Sequence, residues 1–193
     1  MLRLVTMIRI NQQIPDMAVT AYQDGDIKRV TLHSFKGKWL LLIFYPGDFT
    51  FVCPTELSET ADHYEEIKAM GVEVASVSCD SAHTHKAWQD TSPSIKKVKF
   101  PMLADMTGQM SKEFGVYLEE EGQPLRGTFI IDPYGTLKCI EINENSIGRN
   151  IKESIRKIKA AQFVSTHDGM VCPASWDEGK EAMTKDLSQV GKI

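Results

Sequence analysis

Residues 39–79 decide the fold class, and they read WLLLIFYPGDFTFVCPTELSETADHYEEIKAMGVEVASVSC. The run Trp39–Tyr45 has the length and the Leu, Ile and Phe content of a strand covered on both faces. Apolar residues then recur at helical spacing, and the pattern ends near Met70–Gly71. The apolar positions of this helix are Leu57, Ala61, Tyr64 and Ile67. A second strand, rich in β-branched residues, follows at Val72–Cys79. Strand, helix and strand in this order predict a βαβ unit with parallel pairing.

The chain continues in the same alternating pattern beyond Cys79. The predicted elements are a helix at Ser81–Asp90 that carries Trp88, a strand at Phe100–Asp105, a short helix at Thr107–Phe114, a β-hairpin at Thr128–Ile142 and a helix at Asn150–Phe163. A Pro-Tyr-Gly turn between two apolar runs indicates the hairpin. The first ten residues, Met1–Ile10, alternate apolar and polar side chains and predict a leading strand, and Met7 is an alternative initiator.

The helical periodicity weakens after His167, where Gly169, Pro173 and Gly179 interrupt the chain. We therefore predict a domain at residues 1–167 and a C-terminal arm at residues 168–193. A length of 193 residues suits one well-buried domain and is short for two.

The composition and net charge limit the classes of function that the chain can have. Hydrophobic residues make up 42% of the chain and charged residues 25%, which is typical of soluble globular proteins. The formal net charge of -4 argues against a nucleic-acid partner, and we interpret the basic cluster Lys96, Lys97 and Lys99 as a solvated loop. The longest apolar run is too short to cross a bilayer, and no signal peptide is recognisable. We predict a cytoplasmic protein without a membrane partner, whose reduced cysteines favour catalysis or metal binding over structural disulfides.

Cys53 lies between the end of the first buried strand and the first turn of the predicted helix. Pro54 suits the first helical position, and Glu56 stands where the carboxylate of a capping box would lie. Unpaired backbone N–H groups and the helix dipole favour an anion there, and they lower the pKa of cysteine thiols. The position favours a reactive thiolate, although a buried inert thiol remains an alternative.

The remaining cysteines and histidines do not form a metal-binding pattern. The four cysteines are Cys53, Cys79, Cys139 and Cys172, and none belongs to a C-x-x-C pair. Cys79 and Cys139 lie in or beside apolar strands and are interpreted as small core residues. His83 and His85 are two residues apart, so they diverge on a helix, and we interpret both as surface residues. We therefore predict no metal and no cofactor.

Three motifs resemble those of the typical two-cysteine peroxiredoxins. They are FYPGDFTFVCPTE at Phe44–Glu56, RGTFIID at Arg126–Asp132 and GMVCPASW at Gly169–Trp176, in the family's order. The segments ADHYEE, THKAW and RKIKAAQF and the ending VGKI narrow the resemblance to the bacterial alkyl hydroperoxide reductase C group. The resemblance covers nearly the whole chain. It implies a thioredoxin-like fold, in which helices flank a central mixed β-sheet, plus the C-terminal arm.

The same resemblance implies a peroxidase that reduces hydrogen peroxide and organic hydroperoxides. Cys53 would attack the peroxide and become a sulfenic acid. Cys172 of a second subunit would then condense with it into an intersubunit disulfide. Trp88 lies near this pocket in relatives, but it is interpreted equally well as a core aromatic.

Five further residues take roles in the site by resemblance. Thr50 would hydrogen-bond the thiolate and the peroxide, and Arg126 would place a fixed positive charge beside the sulfur. Pro46 would shield the site from water. Arg149 matches the family's second arginine, and Glu56 would orient both arginines.

Acidity alone does not make a cysteine a fast peroxidase. Lowering a thiol pKa from ~8.5 to ~6 raises the thiolate fraction near pH 7 about 30-fold, but intrinsic nucleophilicity falls about tenfold. The remaining acceleration has to come from aligning the peroxide and stabilising charge on the departing oxygen. We assign this contribution to Arg126 and Thr50.

Partners and alternatives follow from the resemblance as well. The electron donor would be a flavoprotein reductase subunit or a thioredoxin-like protein, and homodimers would assemble into a decameric ring. A ring that acts only as a holdase chaperone is one alternative function. A thioredoxin-like disulfide reductase is another, but it predicts C-x-x-C where this chain has CPTE.

Overall fold

The computed structural model describes residues 7–191. The strands are β1 (Ala18–Gln23), β2 (Asp26–Thr31), β3 (Trp39–Phe44), β4 (Val72–Ser78), β5 (Met102–Ala104), β6 (Tyr117–Leu118), β7 (Gln123–Pro124), β8 (Arg126–Ile131), β9 (Leu137–Asn143), β10 (Met170–Val171) and β11 (Met183–Thr184). The α-helices are α1 (Cys53–Asp62), α2 (Tyr64–Ala69), α3 (Ala82–Thr91), α4 (Gln109–Glu113) and α5 (Ile151–Thr166). Short 3-10 helices lie at Leu32–Phe35 and Leu187–Gln189.

Seven strands form one mixed sheet in the order β2-β1-β5-β4-β3-β8-β9. Strand β3 pairs in parallel with β4 and antiparallel with β8, and β8 pairs antiparallel with β9, so the predicted βαβ unit and the predicted hairpin are both confirmed. All six residues of β3 are buried, because β3 lies inside the sheet and is covered on both faces. Helix α2 packs against β4, and α3 packs against β1 and β5.

The predicted single helix after Cys53 is wrong in one respect, because the chain forms two helices that are divided at His63. His63 has φ -96° and ψ 3°, outside the regular helix. The backbone N–H of Ile67 nevertheless bonds to the carbonyl oxygen of His63 at 2.9 Å, so the second helix starts without an intervening loop. The apolar stripe therefore stays buried at Leu57, Tyr64 and Ile67.

Strands β1 and β2 were not predicted, although the sequence carries a signal for them. Asp24 and Gly25 join the two strands and have φ of 50° and 84°, with Gln23 opposite Asp26 in the register. A two-residue turn with both φ positive suits the twist of a hairpin, and Asp-Gly is a preferred sequence for it. The leading strand predicted within Met1–Ile10 is absent from residues 7–10, and its first six residues lie outside the described range.

Aromatic rings form the centre of the core that supports the sheet. The ring of Phe44 lies 5.2 Å from that of Phe114 and 5.4 Å from that of Phe129, between centroids, and Phe114 and Phe129 are 4.9 Å apart. Contacts divide the chain into two compact units, the first ending at Ile151 and the second beginning at Lys152. The domain boundary predicted after His167 stays a prediction. None of the described helices is long and apolar enough to cross a membrane.

Candidate active site

Cys53 is the first residue of α1 and is fully buried. Pro54 follows inside the first turn, where its missing N–H leaves no helical hydrogen bond unmade. Strand β3 ends at Phe44, so the loop 45–52 carries the chain from the sheet to the start of the helix. The predicted position of Cys53 at a helix N-terminus is confirmed.

Arg126 begins β8 and places its guanidinium against the thiol. Its Nη1 donates to Sγ of Cys53 at 3.3 Å and to Oε2 of Glu56 at 2.7 Å. Its Nε and Nη2 donate to the carbonyl oxygen of Asn145 at 2.9 and 2.8 Å. Burial lowers the pKa of Arg126, but the hydrogen bond to Cys53 and the charge of Glu56 outweigh it, so the net pKa is raised. The guanidinium is a fixed cation whose three nitrogens are all held.

Glu56 joins the two arginines of the site. Its Oε1 accepts hydrogen bonds from the backbone N–H and the Nε of Arg149, each at 2.9 Å. Arg149 also donates to the carbonyl oxygens of Gly127, at 3.2 Å, and Phe44. The capping box predicted for Glu56 is wrong: the start of α1 has no side-chain cap, because the Glu56 carboxylate turns inward to the arginines.

The charges of this cluster leave a net positive charge beside the sulfur. Glu56, Arg126 and Arg149 are each at most 6% exposed, so their charges are weakly screened by solvent. One carboxylate between two guanidinium groups leaves one positive charge uncompensated. The Cys53 sulfur lies beside it, and ionising the thiol would make the cluster neutral. The arrangement can hold a thiolate and can also stabilise negative charge on an atom that binds next to it.

Thr50 and Pro46 both precede Cys53 in the sequence and lie in the loop before α1. The hydroxyl of Thr50 donates to the carbonyl oxygen of Gly47 at 2.8 Å. A hydroxyl has a single proton to donate, so Thr50 can offer only its lone pairs to another group. Pro46 is buried, as a residue that excludes water would be.

A buried polar network anchors the same loop, and sequence reasoning missed it. Oδ1 of Asp48 accepts from the hydroxyl of Tyr45 at 2.7 Å, and Oδ2 lies 2.8 Å from Nδ1 of His85. The backbone N–H of Asp48 donates to Asp80 at 2.8 Å. Burial raises the pKa of Asp48, opposed by the hydrogen bond from His85, and burial also raises the pKa of Tyr45 well above its usual value.

The surface position predicted for His85 is therefore wrong, whereas that of His83 is confirmed. His85 is fully buried and lies three residues before Trp88, so both side chains are on the inward face of α3. The three-residue spacing between His85 and Trp88 is the sequence signal that predicts a buried His85. Within residues 7–191, its Nε2 has no hydrogen-bond partner.

The network lies beside a strained backbone position in the loop before Cys53. Phe49 has φ of 56°, in the left-handed region that non-glycine residues enter at a cost of about 1–2 kcal/mol. Its ring lies 6.1 Å from that of Trp88, which is 2% exposed and contacts Tyr45 as well. Trp88 is thus a core aromatic that also supports the loop before Cys53.

We expect His85→Leu to lower the free energy of unfolding by about 1–3 kcal/mol, because the buried Asp48 carboxylate loses a hydrogen-bond donor. Urea denaturation followed by circular dichroism would measure the change. His83→Leu is the matched control on the same helix, and we expect it to stay within about 0.5 kcal/mol of the original protein. Equal midpoints for the two variants would show that the Asp48–His85 contact contributes nothing to stability.

The other thiols differ from Cys53 in their surroundings, and none of the four cysteines, all of which lie within residues 7–191, is part of a disulfide. Cys79 and Cys139 are half-buried, and burial raises the pKa of Cys79 to about 11, with a further contribution from Asp105. Cys172 lies in the second unit, where its Sγ is 3.9 Å from the carbonyl oxygen of Ala160. No group of three or more His, Cys, Asp and Glu side chains among the described residues could hold a metal ion.

A buried thiol paired with an arginine, at a helix N-terminus beside a mixed β-sheet, is the arrangement expected of a thiol-dependent peroxidase, and comparison with known sequences identifies the family. The chain belongs to the AhpC/TSA family, whose sequence model matches residues 10–140. It is 46% identical to alkyl hydroperoxide reductase C of Pseudomonas aeruginosa over 187 residues, which cover 97% of this chain and 100% of that protein. The corresponding Escherichia coli protein is 45% identical over the same length.

Solved structures confirm the fold class that the sequence predicted. The crystal structure of Enterococcus faecalis AhpC matches with a TM-score of 0.83 and 48% identity, over 85% of this chain and 98% of that one. The reduced 2-Cys peroxiredoxin of Plasmodium vivax matches with a TM-score of 0.88 and 33% identity, over 93% of this chain and 94% of that one. The resemblance drawn from the three motifs is thereby confirmed, as is the thioredoxin-like fold.

Proposed function

We propose that this protein is a thiol-dependent peroxidase that reduces hydrogen peroxide and organic hydroperoxides. The observation that carries the proposal is the 3.3 Å contact between Sγ of the buried Cys53 and Nη1 of Arg126. The names of the relatives, alkyl hydroperoxide reductase C and 2-Cys peroxiredoxin, support it. No cofactor takes part, since the thiol itself supplies the electrons.

In the first step the Cys53 thiol gives up its proton and the thiolate attacks one peroxide oxygen. A sulfur–oxygen bond forms and the oxygen–oxygen bond breaks, so Cys53 becomes a sulfenic acid. The departing hydroxide or alkoxide takes up one proton, equal to the one that the thiol released, and leaves as water or an alcohol. Arg126 stabilises the negative charge that develops on the departing oxygen. Since the proton of Thr50 is committed to Gly47, Thr50 acts as an acceptor that orients the peroxide O–H group. Glu56 and Arg149 hold Arg126 in place, and Pro46 excludes water.

In the second step the thiol of Cys172 from a neighbouring protomer condenses with this sulfenic acid. A disulfide forms, the sulfur–oxygen bond breaks and water leaves. A reductase then returns both cysteines to thiols, and we propose a flavoprotein reductase or a thioredoxin-like protein for this role. The proposed setting is the cytoplasm, where such donors keep thiols reduced.

We further propose that the protomers form homodimers that assemble into a decameric ring. Phe49 and Phe51 lie on either side of Thr50 and are 58% and 95% exposed. Strand β9 forms one edge of the main sheet. Exposed aromatic side chains and sheet edges are surfaces that proteins cover by association, and sedimentation velocity of the reduced protein would test the ring.

Peroxide consumption and non-reducing gel electrophoresis test the proposed function. We expect Cys53→Ser to abolish peroxide consumption and Cys172→Ser to abolish the disulfide-linked dimer band that the original protein shows after peroxide treatment. Cys79→Ser and Cys139→Ser are the matched controls and should leave both unchanged. Peroxide consumption that survives in Cys53→Ser would refute the proposal.

A further inference from the structure

Arg156 lies on α5 in the second unit and connects the helix to the segment that carries Cys172. Its Nε and Nη2 donate to the two carboxylate oxygens of Glu153 at 2.6 and 2.8 Å. Its Nη1 donates to the backbone carbonyl oxygen of Trp176 at 2.6 Å. The fork of the guanidinium thus holds Glu153 with one edge and the chain beyond Cys172 with the other.

Trp176 is the anchor of this segment. Its side chain is 3% exposed, and its ring lies 5.0 Å from that of Phe163 on α5. Its Nε1 donates to the carbonyl oxygen of Lys180 at 3.1 Å, and its backbone N–H donates to the carbonyl oxygen of Pro173. Residues 173–180 are thereby folded into a compact turn on the helix.

Cys172 is held at the start of the same turn. Its thiol is half-buried against Ala160 of α5. Burial raises the pKa of Cys172, and the charge of Arg156 opposes that shift. A thiol packed against a helix backbone has to leave this position before it can reach a sulfenic acid on another protomer.

We propose that Arg156 is a positioning residue for the resolving step: it latches the segment 172–176 onto α5, and release of Trp176 from Arg156 limits the rate at which Cys172 reacts. The proposal rests on the proposed function in assigning the resolving role to Cys172. The reaction itself is a condensation, in which the thiol and the sulfenic acid form a disulfide and release water.

The contacts that Arg156 makes with Glu153 and with the Trp176 carbonyl are weak enough to break and re-form. Arg156 and Glu153 have side chains that are 27% and 35% exposed, so the ion pair is partly screened and contributes modestly. The hydrogen bond to Trp176 ends on a backbone carbonyl of a short turn rather than on a sheet or helix. Local opening of this turn separates the Trp176 ring from Phe163 and breaks the hydrogen bond to Arg156.

The experiment compares Arg156→Met with Lys159→Met. Lys159 lies on the same helix, and its replacement removes an ion pair with Glu178 but no hydrogen bond to the backbone of the turn. Hydrogen exchange of residues 172–180 is measured first in a Cys53→Ser background, where no disulfide can form. We expect exchange to rise about three- to tenfold in Arg156→Met, as losing a charge-assisted hydrogen bond at a partly exposed site predicts, and to change less than about twofold in the control. Glu153→Gln should raise exchange in the same direction by a smaller factor.

With Cys53 intact, rapid mixing with peroxide separates thiol oxidation from disulfide formation. We expect Arg156→Met to leave the oxidation phase unchanged and to accelerate the disulfide phase by the factor seen in hydrogen exchange. Rates are compared on the alkaline plateau of the pH profile, where Cys172 is ionised in both proteins. A merely structural role would slow both phases together.

Three outcomes would overturn the proposal: unchanged exchange in Arg156→Met, raised exchange without a faster disulfide phase, or an equal effect of Lys159→Met. Absence of the oxidation phase in the original protein would instead refute the proposed function, while the exchange data would still show whether Arg156 holds the turn.

Discussion

Replacing Arg126 with alanine is expected to slow the reaction of Cys53 with peroxide by about 100- to 1000-fold, the usual effect of removing a preorganised donor from a site of developing charge. Nη1 of Arg126 is 3.3 Å from the sulfur, and we expect it to donate to the oxygen that departs. The loss would exceed any effect on thiol ionisation, because a change of thiol pKa alters the rate only by a few-fold.

Stopped-flow kinetics with a single equivalent of peroxide would measure the rate, and ultraviolet absorbance would measure the thiolate fraction of each protein. Arg126→Lys is the matched control because it keeps the charge but loses the paired hydrogen bonds to Asn145. We expect it to fall between the original protein and Arg126→Ala. A rate that merely followed the thiolate fraction would contradict the role assigned to Arg126.

The second large effect concerns Glu56. We expect Glu56→Gln to lower the free energy of unfolding by about 3–5 kcal/mol, because breaking a buried ion pair leaves charges without compensation. Both carboxylate oxygens of Glu56 are used, one by Arg149 and the other by Arg126. The amide retains the shape of the side chain but carries no negative charge for either guanidinium.

Denaturant unfolding followed by circular dichroism would measure this loss. Glu65→Gln serves as the control, since Glu65 is 83% exposed and its loss is expected to stay within about 0.5 kcal/mol. In the folded variant, peroxide reduction should also slow, because Arg126 loses one of the groups that hold it. If Glu56→Gln proved as stable as Glu65→Gln, the buried charge cluster would not be what stabilises this part of the fold.

The part of the fold that sequence reasoning found is the part with strong local signals. The apolar run of β3, the helical stripe at Leu57 and Ile67, and the position of Cys53 at a helix N-terminus all follow from spacing and residue type. The β1–β2 hairpin has a local signal as well, in the Asp24-Gly25 turn, although it was not predicted. These features depend on neighbours within a few residues.

The arrangement around the thiol depends on contacts that are distant in the chain. Glu56 and Arg149 are 93 residues apart, and Cys53 and Arg126 are 73 apart, so their pairing came from the family resemblance and not from spacing. The carbonyl of Asn145 could not be found from residue type, because every residue carries one. His85 was misplaced because its spacing was compared with His83 and not with Trp88.

Cys53 is the thiol that we expect to react with peroxide. The most direct measurement is mass spectrometry of the Cys172→Ser protein after a single equivalent of peroxide and a reagent that traps sulfenic acids. We predict that the label appears on Cys53 and on neither of the other two remaining cysteines, Cys79 and Cys139. A label on Cys79 or Cys139 with none on Cys53 would contradict the account.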